Sequence, residues 1–132
     1  MNEETDVRLT ILIVEDVAET RDGIEILLRA DGYLVAAARD ERDAVEMGGR
    51  KFPDLILVSL SGLPLDVIAT ARRIRKRAEL SENVPIVVFC IADVAEGHEV
   101  AIGQNVYITR PDNFNQLRRL IARLLRAVPK AA

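Results

Sequence analysis

The chain has one cysteine and one histidine among its 132 residues, and each shortage closes off a class of function. A lone cysteine excludes an internal disulfide and a zinc site built from thiolates. The lone histidine, His98, sits in a weakly patterned segment and reads as a solvated surface residue, not as a triad member. No apolar run approaches the roughly 20 residues of a membrane-spanning helix. The opening residues, Met1-Asn2-Glu3-Glu4-Thr5-Asp6, are polar and acidic and lack the apolar stretch of a secretory signal. A net charge of -3 argues against general affinity for nucleic acid. No repeat or low-complexity linker interrupts the chain, and no phosphate-cradling glycine loop follows its first apolar run. What is left is 49% apolar and 30% charged, the balance of a soluble globular protein. The expectation is a single cytoplasmic domain over 1–132, with its core at about 8–128.

The chain is organised around Asp54-Leu55-Ile56-Leu57-Val58-Ser59, an almost wholly apolar run after Pro53 with a polar residue at each end. Such a run is predicted to be a central parallel strand covered on both faces. Its carboxyl end opens into Leu60-Ser61-Gly62-Leu63-Pro64, and open α/β sheets bind ligands at that edge. Similar runs lie at 9–14, 33–38, 84–90 and 106–108. Helical spacing is predicted between them: Val17 to Asp31 with Ile24, Leu27 and Leu28 inward, a helix capped by Asp40 that Gly48-Gly49 weakens, and Leu65 to Leu80. A short fourth helix is expected over Ala92 to Ile102, and a last one from Phe114 to Val128. Five strands alternating with five helices predict a parallel sheet with helices on both faces.

The polar residues fall at strand ends: Glu15-Asp16, Ser59, Cys90 and Arg110-Pro111. With Ile-Leu-Ile-Val-Glu-Asp at 11–16, Pro-Asp-Leu-Ile-Leu-Val at 53–58, Val-Pro-Ile-Val-Val at 84–88 and Tyr-Ile-Thr-Arg-Pro at 107–111, the chain resembles the receiver domains of two-component response regulators. The resemblance implies a flavodoxin-like sandwich with strand order 2-1-3-4-5. It also implies an aspartate accepting a phosphoryl group after the third strand and a magnesium ion on the acidic pair. A serine or threonine after the fourth strand and a lysine after the fifth would grip the phosphoryl oxygens.

Carried over position by position, the acidic pair Glu15 and Asp16 is kept and most of the rest is lost. Ser59 stands at the aspartate, Cys90 at the hydroxyl residue, Ile91 where something small is usual, and Arg110 at the lysine. An alcohol is a poor nucleophile without an adjacent base. One carboxylate fewer weakens any magnesium site, so no cofactor is expected and Glu15 and Asp16 remain only weak candidates. Cysteine donates poorly, and an arginine fork suits carboxylates better than a point-charge role. Arg110 is therefore expected to pair with Asp16 or Glu15 inside the pocket.

Two cationic groups remain. The run Arg72-Arg73-Ile74-Arg75-Lys76-Arg77 reads first as a wet helix face, with an anion- or partner-docking patch as the alternative. Arg118, Arg119, Arg123 and Arg126 decorate the last helix; with Tyr107 they match the family's usual partner or dimer face. The resulting expectation is a non-enzymatic pseudo-receiver, part of phosphorelay signalling but acting by docking. It would bind a signalling protein, its own output domain or a second copy through the last helix, with no membrane or nucleic-acid role. The alternatives are an active phosphoacceptor switch at Ser59 or a nearby aspartate (Asp54 or Asp16), and a flavodoxin-like pocket for a small ligand.

Overall fold

The computed structural model describes residues 8–89, 94–110 and 113–127. In chain order the elements are β1 (Thr10–Glu15), α1 (Ala18–Ala30), β2 (Leu34–Ala38), α2 (Glu41–Lys51), β3 (Leu55–Ser59), α3 (Pro64–Arg77), β4 (Ile86–Phe89), β5 (His98–Ala101), β6 (Val106–Arg110) and α4 (Phe114–Ala127). They build one six-stranded sheet in the order β2-β1-β3-β4-β6-β5. All neighbours are parallel except β5 and β6.

The apolar runs become strands because both of their faces are covered. Leu12, Val14, Ile56, Val58, Ile86 and Val88 point to one side and pack with Ala44 of α2 and Val67, Ala71 and Ile74 of α3. Ile11, Ile13, Leu55, Leu57 and Val87 point to the other, against Leu28 of α1 and Leu117, Leu120, Ile121, Leu124 and Leu125 of α4. Alternation across each strand thus sorts one continuous apolar run into two separate cores. Leu27, expected to face inward, is 44% exposed; Leu28 takes the buried place on α1.

Local chemistry fixes the helix ends. Asp40 accepts a hydrogen bond from the Asp43 amide at 2.9 Å, and Asp43 accepts one from the Arg39 amide at 3.1 Å, so the two acids cap α2. The helix then runs on through Gly48-Gly49 to Lys51, further than the glycines suggest. Gly48 is there for space: a Cβ on it would lie 3.0 Å from the Ala78 Cβ and 3.5 Å from Leu80. Gly49 has nothing within 4 Å. Pro64 opens α3, where a missing amide hydrogen costs nothing.

The predicted helix over Ala92 to Ile102 is corrected. Within its described part the chain forms β5, antiparallel to β6, with His98 opposite Arg110 and Ala101 opposite Tyr107. Gly103, Gln104 and Asn105 all adopt positive φ (101°, 56° and 63°), making a tight left-handed reversal. Mirror-image turns of this kind match the twist of paired strands and cannot continue a helix. The sheet therefore has six strands, not five, and the described residues hold four helices.

Gly49→Ala is expected to stabilise the fold by about 0.5–1 kcal/mol through helix propensity. Gly48→Val, which forces a branched side chain against Ala78, is expected to cost about 1–3 kcal/mol. Urea unfolding of the two variants checks the contrast.

Candidate functional site

Register places the site. β1 and β3 pair in parallel so that Glu15 lies beside Ser59, at the carboxyl edge of the sheet. Glu15 is only 4% exposed, and its carboxylate accepts the Val17 amide at 3.0 Å. Val17 is the N-cap of α1 and offers no side-chain cap of its own; Glu15 holds the amide of that N-cap residue just before the helix begins. The positive end of the helix dipole compensates the buried charge. The Arg21 guanidinium donates to the Glu15 backbone carbonyl at 2.9 Å, not to its carboxylate.

Asp16 points outward and accepts the Ser61 amide at 3.1 Å, tying the loop after β3 to the loop after β1. The Ser61 hydroxyl is the main cause of an Asp16 pKa below the usual carboxylate value, with burial the next influence and opposing it. Ser59 is half-buried beside Glu15. Among the described residues no hydrogen bond engages its hydroxyl, so none of them is placed as its base. Asp54 lies at the opposite end of β3, where it accepts the Thr10 amide at 2.8 Å and is held away from the site.

A family model, the response regulator receiver domain, matches residues 11–122. The chain is a receiver domain.

Relatives agree. The receiver domain is 36% identical over 121 residues to the phosphate regulon transcriptional regulatory protein PhoB of Pseudomonas aeruginosa, covering 87% of this chain and 49% of that protein. It is 30% identical over 124 residues to the probable transcriptional regulator ycf27 of Guillardia theta, covering 92% of this chain and 47% of that protein. It thus spans about half the length of these curated relatives. Among solved structures it superposes on the receiver domain of the sensor histidine kinase PA1611 from Pseudomonas aeruginosa, with TM-score 0.69 and 28% identity, over 92% of this chain and all of that one. That neighbour carries a magnesium ion in its active-site cleft.

Glu15 and Asp16 share this edge with Ser59, and among the described residues no three His, Cys, Asp or Glu side chains converge.

The structure unites Glu15, Asp16 and Ser59 and leaves Arg110 out. Arg110 is exposed; its guanidinium reaches the Val94 carbonyl at 3.4 Å and makes no ion pair with either acid among the described residues. The expected internal pair is therefore absent. β5 is the cause: pairing with His98 holds the end of β6, and the Arg110 carbonyl accepts the Gly97 amide at 2.6 Å. Cys90, Ile91 and Pro111 lie outside the described residues.

The last-helix arginines divide. Arg118 grips Asp31 through two bonds of 2.7 and 2.6 Å, and Arg123 pairs with Glu99 of β5. Arg119 and Arg126 are exposed and make no ion pair among the described residues. Tyr107 is half-buried in the core beneath α4. The sequence reading missed Thr109, 4% exposed, whose hydroxyl donates to the His98 carbonyl at 3.2 Å and ties β6 to the edge strand. Its place in a strand-like run was visible, but its partner depended on a strand that was not.

A lowered folded pKa makes the Asp16 interaction stabilising above the unfolded pKa and lost as pH falls through the folded one. Ser61→Ala is expected to raise the Asp16 pKa toward its ordinary value while the amide bond keeps part of the depression. A carboxyl-detected NMR titration checks it.

Proposed function

We propose that this receiver domain works without aspartyl phosphate, as a docking module in two-component signalling. The observation that carries the reading is Ser59, in register with Glu15 at the phosphoacceptor position and with no hydrogen-bonded base among the described residues. The other acids of the alternative switch are occupied: Asp16 by Ser61, and Asp54 by Thr10 at the far edge. No resident metal is part of this reading, because the two remaining acids each hold a loop or a helix start.

The docking face we favour is the outer side of α4, where Arg119 and Arg126 are left unneutralised. Such cations steer association with an acidic partner more than they strengthen it. The partner would be another signalling protein, an output domain or a second copy, in the cytoplasm. Pairing of Arg118 with Asp31 and of Arg123 with Glu99 makes those two arginines structural braces. The domain has no chemical step of its own in this account.

Incubation with acetyl phosphate and magnesium is expected to leave the intact mass unchanged. A hydroxylamine-labile phosphoryl adduct would overturn the reading.

A further inference from the structure

The basic run of α3 is two groups, not one face. Arg73 and Arg77, one turn apart, both reach Glu41 of α2: Arg73 at 2.9 and 2.8 Å, and Arg77 at 3.1 Å. Their charge is met. Arg72, Arg75 and Lys76 lie on the neighbouring face at i, i+3 and i+4, and with Leu80, Glu82 and Gln104 they line a cavity of about 410 Å³. Among the described residues none of these three cations has an ion pair.

Neutral groups instead hold the two arginines. Arg72 donates to the Gln104 side-chain oxygen at 2.6 Å and to the Ile102 carbonyl at 3.3 Å. Arg75, only 4% exposed, donates to the Val84 carbonyl at 2.9 Å and the Gln104 carbonyl at 2.6 Å. A structural role in latching the β5–β6 turn accounts for Arg75. It does not account for Lys76, which is exposed, nor for the space between the three. Arg75 feels the charge of Glu82, whereas Arg72 and Lys76 line the cavity with no carboxylate bound to either among the described residues, and an anion there would supply the missing charge-assisted partner. Glu82, the one acid at the rim, makes no ion pair with any of them.

We propose that this cavity is a binding site for a small phosphomonoester, with its phosphoryl group between Arg72 and Lys76. The volume falls within the roughly 300–1,000 Å³ of small-molecule sites and exceeds the needs of a bare phosphate ion. Leu80 gives the remainder of the ligand an apolar wall, while Glu82 and Gln104 offer acceptors for its hydroxyls. The site lies at the amino edge of the sheet, at the end opposite Ser59, because α3 ends there and β4 and β6 begin there. It is therefore independent of the docking account.

The test is an amide chemical-shift titration of the full chain with glycerol 3-phosphate, ribose 5-phosphate and inorganic phosphate, using chloride as the ionic-strength control. Saturable shifts at Lys76, Leu80, Glu82 and Gln104 are expected, with a sugar or glycerol ester binding more tightly than inorganic phosphate. Arg72→Gln and Lys76→Gln should each weaken binding about tenfold, the value of one charge-assisted hydrogen bond. Lys51→Gln, on α2, should leave it unchanged. Arg75 stays native, because its loss would release the turn; the spectra themselves report folding. Shifts that fail to saturate, that chloride reproduces, or that survive in the Arg72→Gln/Lys76→Gln double variant would overturn the proposal. So would binding confined to an acidic peptide.

Discussion

Parallel pairing of β1 with β3 is the constraint on which the rest depends. One residue of slip would move every apolar side chain of β3 to the opposite face, mixing two cores that the structure keeps separate. The register that survives sets Glu15 beside Ser59. Burial of Ile11, Ile13, Leu55 and Leu57 on one face, and of Leu12, Val14, Ile56 and Val58 on the other, makes that juxtaposition rigid. The site is thus a consequence of packing, and its chemistry is decided by which side chains the fixed positions carry.

Those side chains have taken other duties. Glu15 holds the chain entering α1, Asp16 holds the loop after β3, and Ser59 lies beside Glu15 with no hydrogen-bond partner for its hydroxyl among the described residues. At the far side of the sheet the hairpin formed by β5 and β6 occupies the span expected as a helix. Its turn is held from below by Arg72 and Arg75, and its edge strand is braced to α4 by the Glu99–Arg123 pair. His98, Glu99 and the exposed Val100 give this short edge a mixed character, with charge to discourage further strand pairing.

Much of this was legible in the residues. The long apolar runs specified β1 to β4 because doubly covered strands need no alternation, and the stripe from Phe114 onward specified α4. The Asp40 cap was readable from its spacing to Asp43. Three features were not. The edge strand escaped because four residues with one strongly β-favouring side chain carry little propensity, and pairing with β6 decides the outcome. Gly48 reads as a helix breaker in sequence, whereas close packing against Ala78 requires it. The Arg110 prediction failed with the edge strand, since the strand that fixes the end of β6 also turns the guanidinium toward Val94.

An acyl-phosphate mimic addresses the central claim directly, because it tests whether the pocket can assemble at all. Amide spectra recorded with beryllofluoride and magnesium should match those of the protein alone at Glu15, Asp16, Ser59 and Thr109. Saturable shifts at those four residues would contradict the account.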